Sequence, residues 1–194
     1  MTMTLRHGLP EHLRDDAARL YWQAFGGKLG RVMGPDRMAL RFIHRVMRAD
    51  HCIVALALDG ALLGLAGFKT QDSSFAGGTS DDLRVIYGRA GALWRSALLQ
   101  LLANDVDNDR FLLDGLCVVD GAQGRGVGTA LLEAICIEAR SRGYGAVRLE
   151  VVDTNARARA LYERTGFVTA RTAPIGLLRL IFGFNAAHTM VRQL

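Results

Sequence analysis

The sequence predicts an α/β fold: a mixed β-sheet with helices on both faces. Three observations carry this. The second half of the chain alternates strand and helix, the first half contains a β-hairpin, and half of the 194 residues are hydrophobic, enough to bury one sizeable core. A single domain spanning residues 1–194 is expected, because no linker or low-complexity tract divides the chain.

The elements follow in order. Residues 4–7 suit a short strand, and Pro10 suits the first turn of a helix running to about residue 25, ended by Gly26 and Gly27. Pro35 and Asp36 open a second helix with Met38, Phe42, Val46 and Met47 at helical spacing. Residues 53–58 and 61–69 flank Asp59-Gly60, a dipeptide that tolerates positive φ and so marks a tight hairpin. Residues 71–80, rich in Ser, Gly and Asp, read as an exposed loop. A helix over about 82–103 follows, with Val85, Ala92, Leu93, Ala97 and Leu101 as its apolar positions and with Gly88 and Gly91 as candidate breaks. Residues 104–109 form a polar turn. Strands over 111–119, 146–152 and 167–172 alternate with helices over 129–142 and 156–165, which Gly143 and Gly166 end. That alternation implies a crossover between parallel neighbours.

Composition excludes several classes. The longest nearly continuous apolar stretch, residues 175–184, contains Arg179 and is half the length of a membrane-spanning helix. No membrane span is predicted, and the opening residues lack a basic patch followed by an apolar run, so a cytoplasmic location is expected. Cys52, Cys117 and Cys136 are odd in number and sit in apolar runs, as reduced buried thiols do. The five histidines show no ligand spacing, so no metal is expected. The net charge of +5 comes from 22 arginines and only two lysines, Lys28 and Lys69. The arginines are scattered and do not alternate with aromatics, which reads as a solvated basic surface rather than a nucleic-acid interface.

The segment Gln123-Gly124-Arg125-Gly126-Val127-Gly128 lies between a strand and a helix. There the free N–H groups and positive end of the helix face a backbone with few side chains, a natural phosphate cradle. A Walker A loop is disfavoured because Val127 stands where lysine is required, and a dinucleotide fingerprint because Thr129 stands where a third glycine or alanine belongs. Instead, Gln123-x-x-Gly126-x-Gly128, ahead of Leu131-Leu132, resembles the pyrophosphate loop of the GNAT acetyltransferase superfamily. The run Leu149-x-Val151-x-x-x-Asn155-x-x-Ala158-x-x-Leu161-Tyr162-x-x-x-Gly166-Phe167 is similar to that family's next strand and helix.

The resemblance covers residues 112–167 and implies a GNAT-like, centrally splayed sheet that admits the pantetheine arm of acetyl-CoA as a cosubstrate. By the same resemblance, main-chain groups of Leu116, Cys117 and Val118 would pair with the pantetheine amides. Gln123, Gly124, Arg125, Gly126, Val127, Gly128 and Thr129 would hold the pyrophosphate. Asn155 would contact the pantetheine arm or ordered water, capping its helix as well, and the Tyr162 hydroxyl would protonate the departing thiolate.

Acetyl transfer to an amine also needs an oxyanion donor and a base. A main-chain N–H near Val118 is the candidate donor. Asp114, read as sharing a strand face with Leu112, Leu116 and Val118, is the first candidate base; a solvent-facing or arginine-paired carboxylate is the alternative for it, and Glu150 is the second candidate. The implied activity is acetyl transfer from the thioester directly to a primary amine of a small molecule or peptide. A non-catalytic CoA or acetyl-CoA sensor of the same fold is the rival, and a longer acyl chain or a hydroxyl acceptor stays open. Asp72, Asp81, Asp82, Asp105, Asp107 and Asp109 could attract a cationic amine or be solvated loop acids. Residues 175–184 read as core by default, with a cover for the acceptor pocket or a homodimer contact as the alternatives.

Overall fold

One seven-stranded sheet organises the chain. The structure, a computed structural model, describes residues 2–70, 73–102 and 110–194. Its strands are β1 (Thr4–His7), β2 (Cys52–Leu56), β3 (Leu62–Lys69), β4 (Phe111–Val118), β5 (Ala146–Val152), β6 (Val168–Pro174) and β7 (Ala186–Gln193). The helices are α1 (Arg14–Met33), α2 (Asp36–Val46), α3 (Ser80–Leu102), α4 (Val127–Ser141), α5 (Ala156–Arg164) and the short α6 (Arg179–Phe182). Spatially the strands run β1-β2-β3-β4-β5-β7-β6. All neighbours are antiparallel except β4 and β5, which the crossover through α4 joins.

Helices cover both faces. One face packs against α1, α2, α3 and α6, with Trp22, Phe42, Phe75 and Phe182 in its core. The other packs against α4 and α5, with Phe68, Phe111, Leu131, Ile135 and Phe167. The three cysteines are buried free thiols, divided between the two cores. No described helix is long and apolar enough to cross a membrane.

Several elements depart from the sequence reading. Helix α1 runs through Gly26 and Gly27 to Met33, because Val32 and Met33 beyond them are buried in the core and that packing outweighs the low helix propensity of glycine. A Cβ at Gly27 meets nothing within 4 Å. Gly27→Ala is therefore expected to stabilise the fold by about 0.5–1 kcal/mol, seen as a higher denaturant midpoint with an unchanged slope. Of the two glycines proposed to break α3, Gly88 does so, with φ 71° and ψ 175°. The break resets the helical phase. Val85 and Leu93 consequently face solvent, while Leu83 and Ala92 are buried.

The loop after β3 is not wholly exposed: Phe75 is fully buried. Ser73 Oγ lies 2.6 Å from His51 Nε2, and His51 Nδ1 lies 2.8 Å from Asp50 Oδ1, so a polar chain pins the loop to the start of β2. The expected loop positions Gln71 and Asp72, and the polar turn at 104–109, lie outside the described residues. Strand β7 has no counterpart in the sequence reading. It inserts between β5 and β6, so the chain after α5 returns to the sheet one place further out.

Candidate active site

The sheet parts where the sequence resemblance expects it to. Strands β4 and β5 pair only at Phe111–Val147, Leu112–Arg148 and Leu113–Leu149, yet β4 continues to Val118 and β5 to Val152. On its other side β4 stays paired with β3 as far as Val118. The Val119 N–H donates to the Leu63 carbonyl at 2.9 Å. In an antiparallel ladder the polar groups of alternate residues point to opposite neighbours. The groups of Cys117 therefore also turn to β3, and those of Leu116 and Val118 turn into the gap. Cys117 thus brings a buried thiol to the site, while its main chain is spent on Leu65, a revision of its expected pairing role. The Val118 carbonyl accepts from Gln123 Nε2 at 3.2 Å, which leaves the Leu116 N–H and carbonyl and the Val118 N–H on the open edge.

A β-bulge sits at the start of the gap. Gly67 opposes Gly115 and Phe68 opposes Leu113, so Asp114 is the extra residue. The bulge reverses the side-chain alternation. Leu112 and Asp114 line a cavity on the α1–α2 side, whereas Leu116 and Val118 pack toward the α4–α5 core. The expectation that Asp114 shares a face with Leu116 and Val118 is corrected accordingly: one inserted residue turns those two side chains to the opposite face.

The glycine-rich loop closes the far end of the gap. Gly124 and Gly126 have φ of 75° and 86°, in the left-handed region that L side chains rarely adopt, and a Cβ at either would meet nothing within 4 Å. Gly126 is the N-cap of α4, so the N–H groups of Val127, Gly128 and Thr129 lack intrahelical acceptors and form a positive end. Gly128 is small for a different reason, since a Cβ there would lie 3.0 Å from Leu161 Cδ2. Gln123 directs its amide to the Val118 carbonyl and to Asp120 Oδ1, so its side chain braces the loop. Arg125 is exposed, with Nη1 3.3 Å from the Gly121 carbonyl, a charge tethered loosely at the loop's edge. These groups suit a pyrophosphate: open backbone, unpaired N–H donors and one mobile cation.

Tyr162 projects from α5 into the α4–α5 core and is 7% exposed, with its ring centroid 6.0 Å from that of Phe167. Its hydroxyl has no hydrogen-bond partner among the described residues. Burial pushes its pKa well above the usual phenol range, and the nearby Cys117 thiol adds to this. Asn155 is the N-cap of α5, its Oδ1 accepting from the Ala158 N–H at 3.1 Å, the structural half of the two roles considered for it.

The cavity beside the gap measures about 750 Å³. Its walls are largely apolar, from Tyr21, Trp22 and Phe25 of α1, Phe42 of α2, and Leu178 and Phe182 near the C-terminus. Residues 175–184 thus contribute both core and cavity wall, while Leu177 and Leu180 face solvent. Asp114 retains contact with the cavity space but is surrounded by protein, and this desolvation raises its pKa. The Ala76 N–H, 3.2 Å from its Oδ2, opposes the shift. Glu150 also lines the cavity but accepts from Arg148 at 3.4 Å and Thr189 at 3.3 Å. Of the six aspartates considered as an amine attractor, Asp81 and Asp82 are bonded to Arg84 and Arg45; Asp72, Asp105, Asp107 and Asp109 lie outside the described residues. Sequence reasoning gave no site role to Lys28, which lies beyond the end read for the helix, nor to Tyr21, Trp22 and Phe25, which lie within it but carry no pattern that separates a cavity wall from core.

The family model for the acetyltransferase (GNAT) family matches residues 14–167. Among solved structures, the chain is similar to a GCN5-related N-acetyltransferase from Kribbella flavida, with a TM-score of 0.64 and 19% identity over 99% of this chain and 98% of that one. An N-acetyltransferase from Staphylococcus aureus Mu50 gives 0.66 and 16% over 97% and 99%. A streptothricin acetyltransferase assigned in Bacillus anthracis str. Ames, solved in complex with acetyl coenzyme A, gives 0.53 and 14% over 78% and 68%. At these identities the likeness is one of fold. No curated protein gives a significant sequence match.

Proposed function

The chain belongs to the GNAT acetyltransferase family, and we propose that it transfers acetyl from acetyl-CoA directly to a primary amine. The observation that carries this reading is the parted β4–β5 pair, whose open edge lies between a glycine-lined helix N-terminus and a buried tyrosine.

The cosubstrate supplies an activated thioester. Leu116 offers one N–H and one carbonyl to the pantetheine amides, and the helix start from Gly124 to Thr129 offers N–H donors to the pyrophosphate. Asn155 holds the start of α5, and with it the helix that carries Tyr162. The Val118 N–H, aimed into the gap, meets the oxyanion as the amine nitrogen attacks the carbonyl carbon. As the new C–N bond forms and the C–S bond breaks, the Tyr162 hydroxyl donates to the sulfur, and the proton lost by the attacking nitrogen restores it. Burial keeps Tyr162 protonated at every working pH, so it is always available as a donor.

An acceptor amine of pKa ~10 must first lose a proton. Asp114 is the reading for that base: its carboxyl lines the cavity, and burial raises its pKa. Tyr21 and Lys69 are the titratable groups that interact with it. Thiol release with a mixed panel of primary amines tests the function: amine-dependent release establishes transfer, and tight acetyl-CoA binding without release would favour the sensor reading. For the base, kcat/KM should rise with pH through the raised Asp114 pKa, and Asp114→Asn should lower it about 10²-fold and remove that limb of the profile. An unchanged pH profile in the variant would exclude Asp114. We further read the protein as one domain in the cytoplasm, in keeping with its three buried free thiols.

A further inference from the structure

Although the chain has 22 arginines, its only two side-chain amines, Lys28 and Lys69, both line the cavity. Elsewhere the cations are commonly paired, as in Arg45–Asp82, Arg142–Glu138, Arg159–Glu163 and Arg192–Glu133. Among the described residues Lys28 and Lys69 have no ion-pair partner. The lysines bracket the bulge in β4 from two sides. Lys69 ends β3 directly opposite Leu112, with which it shares a sheet face, and its charge acts on Asp114 two residues along. Lys28 comes from α1, with Nζ 5.5 Å from the centre of the Phe25 ring; burial lowers its pKa, and the neighbouring Cys117 opposes that shift. Phe25 in turn packs over Gly115, where a Cβ would lie 3.0 Å from the ring. Both amines therefore approach the stretch 112–117, where an acceptor must present its nitrogen.

The two carboxylates of the cavity do not offset this charge. Glu150 is engaged by Arg148 and Thr189. Asp114, the base of the proposed reaction, is a single carboxylate against Lys28, Lys69 and Arg171, which line the same cavity. A cavity with surplus cations beside its reaction point repels a plain alkylammonium and favours an amine that brings its own anion. The remaining wall, Tyr21, Trp22, Phe25 and Phe42, offers apolar and aromatic surface.

We propose that the acceptor is a free amino acid with an apolar side chain, its carboxylate held between Lys28 and Lys69 and its side chain against the aromatic wall of α1. This rests on the acetyl-transfer reading above and names the substrate class of that same cavity. The balance is simple: the α-amine nitrogen gains the acetyl group, and CoA leaves as the thiol.

Thiol release compared between L-leucine and isoamylamine, and between L-phenylalanine and phenethylamine, tests it, because each pair differs only in the carboxylate. The amino acids should be better by about tenfold or more in kcat/KM, as expected for one charge-assisted contact. Lys28→Gln and Lys69→Gln should each raise KM for the amino acids severalfold, while KM for the decarboxylated amines does not rise and falls as the repelling charge is removed. Lys69 is exposed, so its variant folds even if the Lys28 variant does not. Equal or better turnover of the decarboxylated amines, or preference for a peptide N-terminus over the free amino acid, overturns the inference while acetyl transfer stands. No release with any of these acceptors, despite acetyl-CoA binding, overturns both.

Discussion

Tyr162→Phe lowers kcat by about 10²-fold or more, the usual contribution of a positioned proton donor, and leaves acetyl-CoA affinity within about twofold. The split follows from the geometry. The ring is buried and packs near Phe167, so phenylalanine keeps the packing. The hydroxyl has no partner among the described residues, so its loss leaves none of them unsatisfied and the stability at neutral pH is unchanged or slightly higher. A tyrosine that served only the core would show the reverse, with normal kcat. The alkaline limb gives a second check. The folded-state pKa of Tyr162 is raised, so its contribution to stability is fully present below the unfolded value of ~10 and is lost as pH rises from there through the folded value. The wild type should therefore lose more stability than the Phe variant above pH ~10 in chemical denaturation.

The motif residues were legible in the sequence for a physical reason. Gly124 and Gly126 are there because their φ of 75° and 86° disfavours L side chains, and Gly128 because a Cβ would crowd Leu161; such constraints leave their mark in the letters. Strands β1 and β5 were also readable at their observed bounds, and helix α2 at its start, because period and turn chemistry are local. The bulge at Asp114 was not. It depends on pairing with β3, and the apolar alternation of β4 runs unbroken through it, so the sequence reads as one continuous strand with Asp114 on the wrong face. Helix α1 was truncated for a similar reason: Gly26 and Gly27 signal an end, and only the distant core shows why the helix continues past Lys28. Strand β7 was missed because its residues, half-buried for much of its length, carry no clean two-residue alternation. The cavity beside the gap is lined in part by these less legible elements, which is why the glycine-rich loop could be read from the sequence and the cavity could not.

Gly64→Ala should damage the fold and the cofactor site together. Gly64 lies in β3 opposite Val118, and a Cβ there would come within 2.7 Å of the Cys117 carbonyl oxygen, 3.2 Å of Leu131 Cδ1 and 3.3 Å of Val127 Cγ1. The first contact is with backbone, which cannot rotate away as a side-chain tip can. Either β3 moves off β4 or the edge from Leu116 to Val118 moves into the gap. Overpacking of this kind costs about 1–3 kcal/mol, read as a melting-temperature loss of roughly 2–4 °C per kcal/mol for a chain of this size. The same displacement pushes on Val127, the first residue of α4 and part of the anion cradle, so acetyl-CoA affinity should fall several-fold in the fraction that folds. Gly27→Ala, in open space on α1, is the matched control: it adds the same methyl group and should raise stability without touching affinity. If Gly64→Ala melts normally and binds acetyl-CoA like the wild type, β3 and β4 are not packed as closely as the parted edge of the site requires.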